Sequence, residues 1–284
     1  MTVSDDDLRR AFAQSRRAMA ESRKDDWMGA AIVGANAEGP FINAAKKGAQ
    51  AGSAILPPDA GRLLPWRDIL RLVTLAPEMP GGLDCVRALR AAGVAVSIGH
   101  TNADGDTCYA ALEAGADHFT HTFNAMSPLT HRGVGAAGAA LASDAYAELI
   151  GDGFHVDARL FPLMRRAKGE RLVLITDCTR AGGMQDGQYT LGGQPIFVHG
   201  VECRLADGTI AGSVLRMNDA VRNYCVHGGA PLYQAVHCAA LTPARSIGMQ
   251  VRKGSLETGK DADILLIDKD VRVHAVWTDG QRRL

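Results

Sequence analysis

The sequence predicts an α/β protein built as a (β/α) barrel, on two main observations. Near-continuous apolar runs of strand length alternate with helical patterns that often end in glycine, as in a parallel sheet covered by helices. Five of the six runs carry a polar or ionisable residue at or beside their last position, namely Glu38, Glu78, His100, Asp152 and Asp177, and His121 lies inside the remaining one. A barrel gathers the C-terminal ends of its strands around one mouth, whereas an open sheet spreads them along an edge, so this placement favours the barrel.

Taken in order, residues 5 to 24 carry Leu8, Ala11, Phe12, Ser15, Ala18 and Met19 at spacings of three and four among charged residues, an amphipathic helix. The candidate strands are AAIVGANAE (30 to 38), LRLVTLAPE (70 to 78), VAVSIGH (94 to 100), HFTHTF (118 to 123), AELIGDG (147 to 153) and RLVLITD (171 to 177). Between them LDCVRALRAAG, DTCYAALEAGA and DARLFPLMRRAKG read as helices, each with glycine near its C-terminus. After Asp177 the pattern changes to AGGMQDGQYTLGGQPIFVHGVECRLADGTIAGS, whose glycines and short β-type runs predict one or two hairpins. Helices follow at about 215 to 227, 231 to 240 and 242 to 248, and the tail closes with the strand-like runs ADILLID and VHAVWTDG. The expected division is a barrel over residues 1–250, with a hairpin insertion at about 181–208, and a small β unit over 251–284.

Composition narrows the function. The 284 residues are 46% hydrophobic, enough for a sizeable core, and 31 Lys and Arg balance 31 Asp and Glu. No stretch concentrates one sign, which argues against a nucleic-acid groove or a membrane-surface helix. The first residues are charged without an apolar leader core, and no apolar run reaches spanning length, so a cytoplasmic protein is expected. The six cysteines (Cys85, Cys108, Cys178, Cys203, Cys225, Cys238) form no C-x-x-C pair and read as free packing thiols, Cys178 among them.

Glu38, His100, His121 and Asp177 carry the chemistry. A carboxylate and two imidazoles suit zinc and leave a position for water, and an aspartate beside them can accept a proton and pass it to a leaving group. That set suits hydrolysis of an unactivated amide or ester. Taken singly, a loop histidine or a Glu-Gly-Pro turn has an equally good structural explanation, and the spacing alone leaves both readings open.

GANAEGPFINAAKKGA, VTLAPE, VSIGHTNA, THTFNAMSPLTHRGVG, GDGFHVD, LITDCTRAGG with DGQYTLGG, GTIAGSVLRMNDAVRN, LTPARSIG and KGSLETGKDADILLID follow one another along the chain. In that order they resemble the N-acetylglucosamine-6-phosphate deacetylases of the amidohydrolase superfamily, over essentially the whole chain. The resemblance implies a TIM-type barrel, a divalent metal, usually zinc, held by Glu38, His100 and His121, and Asp177 as catalytic acid/base. It also implies substrate contacts at Ala49, Gln50, Asn124, Ala125 and His155, with Ile210, Ala211 and Gly212 closing over the substrate. Arg132 matches a phosphate-binding residue that acts across a homodimer interface, and a guanidinium fork suits that task. Glu78 is expected to orient a neighbour; His118, His199, His227, His237 and His274 match no functional position, and His131 is undecided.

The chain also departs from the pattern. Asn36 stands where the family commonly has histidine two positions before the glutamate, and Gln50 replaces a histidine that helps bind substrate. In the family about a hundred further residues, with the first two barrel strands, come first, so an open six-stranded arc with two exposed edges is expected here. A late start assignment, a shortened gene or a dimer that covers the edges would each account for this. The implied activity is deacetylation of N-acetylglucosamine 6-phosphate, with another sugar phosphate such as N-acetylgalactosamine 6-phosphate, or a catalytically silent sugar-phosphate-binding chain, as alternatives.

Overall fold

The computed structural model describes all residues, Met1 to Leu284. Helix α1 (Asp5–Glu21) starts where Ser4 caps Asp7 through a 3.2 Å hydrogen bond from the Asp7 amide, and Asp5, Asp6 and Asp7 sit against the positive end of its dipole. Its buried face carries Leu8, Phe12 and Met19, and Phe12 packs on Trp66 with ring centroids 5.4 Å apart.

The sheet follows as β1 (Ala35–Glu38), the one-turn helix α2 (Ala60–Leu63), β2 (Leu70–Leu75), α3 (Gly82–Ala91), β3 (Ala95–Ile98), α4 (Gly105–Glu113), β4 (His118–Phe119), α5 (Gly135–Ala142), β5 (Tyr146–Ile150), α6 (Phe161–Lys168) and β6 (Leu172–Ile175). The six strands lie in sequence order and every neighbouring pair is parallel. Helices cover the outer face, so β2 to β6 are buried almost throughout. The sheet curls: Glu38 from one edge strand and Asp177 from just beyond the other line a single cavity.

The strands are shorter than their apolar runs. HFTHTF pairs only at His118 and Phe119, because His121 and Phe123 adopt positive φ and turn the chain off the ladder. Residues 30–34 precede β1 without joining the sheet, and the Ile32 amide bonds instead to Ser22 Oγ at 2.9 Å. Helix α5 is missing from the sequence reading. Its stretch GAAGAALA is almost wholly buried and has no polar face, so it carries no amphipathic signal. Its C-terminal carbonyls are held by buried Lys168, whose Nζ donates to Ala140 O at 2.7 Å and Ser143 O at 2.6 Å.

Beyond β6 come β7 (Gly187–Leu191), β8 (Gln194–His199) and β9 (Glu202–Leu205), one three-stranded antiparallel sheet where hairpins were expected. Helices α7 (Met217–Gly228), α8 (Leu232–Ala239) and α9 (Leu241–Ser246) follow, α7 and α8 packing on β6 through a core that includes Leu172, Leu174, Val221, Tyr224 and Ala235. Strands β10 (Ile264–Ile267), β11 (Val273–Thr278) and β12 (Gln281–Arg282) form the last sheet. No helix is long and apolar enough to cross a membrane.

Candidate metal-bearing site

Glu38 is the last residue of β1, and His100, His121 and Asp177 each stand two residues beyond β3, β4 and β6. All three of those later residues have positive φ (47°, 32° and 47°), as do Phe123 and Ala125. Five of the seven non-glycine residues with positive φ in the chain are therefore at this one mouth. Each such conformation costs about 1–3 kcal/mol and persists only where its surroundings hold it. Here the turn swings each side chain from the strand end towards a common centre.

The donors meet closely. His100 Nε2 lies 2.8 Å from Glu38 Oε1 and 3.1 Å from His121 Nε2, and His121 Nε2 is 3.9 Å from the same carboxylate oxygen. His100 Nδ1 donates to the Lys46 carbonyl, which can only accept, at 2.8 Å, and this fixes the ring with Nε2 facing Glu38. Two imidazole nitrogens and a carboxylate brought this close repel one another unless a positive charge lies among them. A proton meets part of that need. Burial works against a charged His121, but the negative charge of Glu38, with those of Asp177 and Glu148, overrides it and pushes the imidazole up to about 9. Burial likewise opposes a charged Glu38, yet the hydrogen bond to His100 and the charge of His121 hold it well below the usual carboxylate range. The donor set therefore fits a divalent cation: Glu38, His100 and His121 place their ligand atoms within 4.8 Å of one another. The buried Nδ1 of His121 has no partner in the protein.

Asp177 faces the same cavity, of about 560 Å³. Burial, and then the charge of Glu38, raise its carboxyl, which the nearby histidines only partly offset. Its carbonyl accepts from the Ser213 amide at 2.8 Å, tying the strand end to the segment carrying Gly212. Gly212 has φ 62°, and a β-carbon there would come within 2.8 Å of Thr179 and 3.0 Å of the Asp177 carbonyl. Only glycine allows this approach. Gly39 is constrained in the same way after Glu38, where φ is 82° and a β-carbon would lie 2.1 Å from Thr2 Oγ1.

Of the residues expected to contact substrate, Ala49, Gln50, Asn124 and Ala125 line the cavity, and so do His155, Ile210 and Gly212. Ala211 is buried and does not line it, and Arg132 lies on the exposed stretch 128–134, outside the cavity. His155 is oriented by Asp152, which accepts from its Nδ1 at 2.6 Å and from the Phe154 and His155 amides at 2.9 Å. Glu78 accepts from Asn43 Nδ2, Thr101 Oγ1 and the Asn102 amide at 2.9, 2.6 and 2.6 Å, joining the loops after β1 and β3. It lies outside the three-residue ligand cluster. His118 bonds to Asp117 at 2.6 Å and packs on Tyr146.

One reading needs correction. Cys178 is not a packing thiol: it is exposed and lines the cavity, because the chain has already left β6 at that point. Two contributors were missed. Glu148 on β5 is buried and accepts from the His121 amide at 3.1 Å, fixing the backbone of that histidine; its only sequence signal is a lone charge inside an apolar run. Lys46 is the one lysine or arginine lining the cavity, and its carbonyl orients His100. No sequence pattern reports what a backbone carbonyl does.

The amidohydrolase family model matches residues 13–283. The chain is 39% identical over 252 residues to the N-acetylglucosamine-6-phosphate deacetylase of Bacillus subtilis (strain 168), covering 87% of this chain and 64% of that protein. It is also 39% identical over 264 residues to the N-acetylgalactosamine-6-phosphate deacetylase of Escherichia coli O157:H7, covering 89% of this chain and 68% of the relative. It thus spans about two thirds of the length of these relatives. A mutant N-acetyl-D-glucosamine-6-phosphate deacetylase from Mycobacterium smegmatis, solved in complex with N-acetyl-D-glucosamine-6-phosphate, superposes with a TM-score of 0.91 at 35% identity, over 100% of this chain and 75% of that one.

Proposed function

Since the chain belongs to the amidohydrolase family, we propose that it is a metal-dependent hydrolase that converts N-acetylglucosamine 6-phosphate and water to glucosamine 6-phosphate and acetate. The observation that carries this is the convergence of Glu38, His100 and His121 in one cavity with Asp177. In this reading those three hold the metal, zinc by the mix of nitrogen and oxygen donors. Once bound, such an ion supplies Lewis-acid polarisation and water activation. Asp177 takes a proton from the attacking water and returns it to the amide nitrogen as the C–N bond breaks, and a carboxyl raised by burial suits both halves of that transfer.

Asn124, His155 (itself held by Asp152) and the backbone at Ala49, Ala125, Ile210 and Gly212 bind the sugar, and buried Ala211 carries the segment that closes over it. Lys46 gives the cavity a cation for the phosphate, and Arg132 adds one from the partner of a homodimer, a role its exposed position permits. The curled sheet is then an incomplete TIM-type barrel over 1–250, without its first two strands, followed by a small β unit at 251–284. A cytoplasmic site of action follows from the substrate, because a sugar phosphate carries charge that a bilayer excludes.

The equal identity to the galactosamine relative favours a second reading, the same reaction on N-acetylgalactosamine 6-phosphate. Acetate release from both epimers, with added zinc and after chelation, decides between them. The higher kcat/KM is expected for the gluco epimer. Higher kcat/KM on the galacto epimer would reassign the substrate, and turnover that survives complete chelation would remove the metal from the account.

A further inference from the structure

Gln50 is the position at which the resemblance implies a substrate contact, yet its side chain has little left with which to make one. A glutamine amide offers two N–H donors and one carbonyl oxygen. Gln50 is only 5% exposed, and its Oε1 accepts from the Thr2 amide at 2.6 Å. Its Nε2 donates to Glu38 Oε1 at 2.7 Å and stands 3.1 Å from His100 Nε2. Gln50 therefore gives a donor to Glu38 inside the ligand cluster, and its oxygen is anchored to the backbone on the far side. Asn124, another polar residue lining the cavity, differs. Its nitrogen bonds to the His121 and Thr122 carbonyls, and its oxygen makes no bond within the protein.

We propose that Gln50 is a positioning residue for the ligand Glu38 rather than a substrate-binding group; this rests on the metal-hydrolase reading above. An amide suits the task for two reasons. It donates to a carboxylate without adding charge to a cluster that already holds one carboxylate and two imidazoles. Being rigid and planar, with its oxygen fixed to the Thr2 amide, it also holds the Glu38 oxygen at one place and limits the rotation that a free carboxylate would have.

The two roles predict different changes, read on the full chain. Zinc affinity is measured by competition with a chromophoric chelator, in the absence of sugar, for the parent, Gln50→Met and Gln50→Asn. The first variant keeps the length without the amide, and the second keeps the amide but draws it back by one methylene. KM for N-acetylglucosamine 6-phosphate is then measured at saturating zinc. The expected result is a loss of about 10- to 100-fold in zinc affinity in both variants, as for other hydrogen-bonded supports of metal ligands, with KM at saturating zinc changed by less than about threefold. Unchanged zinc affinity, with or without a raised KM, would overturn the proposal; with a raised KM it would return Gln50 to the substrate. Should Gln50→Met fail to fold by circular dichroism, Gln50→Asn decides alone. If the parent binds zinc but turns over no sugar phosphate, the proposed reaction fails while the chelator competition still decides the role of Gln50.

Discussion

The mouth of the six-stranded sheet and the small sheet near the C-terminus are both rich in charge, and they treat it in opposite ways. Around β10 to β12, Arg252 pairs with Asp261 at 3.0 Å, and Lys253 pairs with Asp261 at 2.9 Å and with Asp263. Opposite signs alternate there, and the Arg252 side chain is 60% exposed. At the mouth, the charge of Glu38 helps to raise both Glu148 and Asp177, and no lysine or arginine pairs with any of the three. Only the histidines balance them. Paired charge near the surface, of the first kind, is worth about 0–1 kcal/mol per pair, whereas buried charge of unbalanced sign is costly unless a cation joins it. The difference teaches which charges stabilise the fold and which prepare a site.

Four substitutions or conditions would break or sharpen that contrast. The largest effect is expected from His100→Ala, which removes one of three ligands: zinc retained through gel filtration should be lost together with turnover. Next is Asp177→Asn, which should lower kcat by about 10²- to 10⁴-fold, the usual range for a general acid/base, and leave zinc content at the parent level.

The third effect is a pH dependence. In the metal-free protein His121 is raised to about 9, so it carries a proton at neutral pH that a metal must displace. Apparent zinc affinity should therefore rise with pH up to about 9, by at most about tenfold per unit from this group, with proton release on binding measurable by calorimetry in buffers of different ionisation enthalpy. The sign is fixed by competition: acid favours the proton, and base favours the metal. A flat profile from pH 7 to 9 would show that the histidine is already neutral. The smallest effect is expected in the C-terminal sheet, where Arg252→Ala should change unfolding free energy by less than about 1 kcal/mol in urea titrations, because the Arg252 side chain is largely exposed and Lys253 still pairs with Asp261.

What could be read from the sequence follows the same division. Glu38, His100 and Asp177 were visible because each interrupts an apolar run at its end, where a parallel sheet gathers its strands. Strand lengths were overestimated because an apolar side chain does not report φ, and the left-handed turns at His100, His121 and Asp177 end the pairing early. Helix α5 was missed for the opposite reason: buried on nearly every side, it has no polar stripe to mark its period. The support around the ligands was the least legible. The Lys46 carbonyl is backbone, Glu148 looks like any charge in a strand, and the bond from Gln50 to Glu38 exists only once the fold brings the two together.

The central claim is that the buried charges at the mouth bind a metal and that Asp177 uses the site to cleave an amide. The most direct test sets the parent beside Asp177→Asn, measuring zinc content and acetate release from N-acetylglucosamine 6-phosphate on the same preparations. The account predicts equal zinc in both proteins and acetate from the parent alone, abolished by chelation and restored by added zinc. Equal acetate release from both proteins, or a folded parent that holds no zinc, would contradict it.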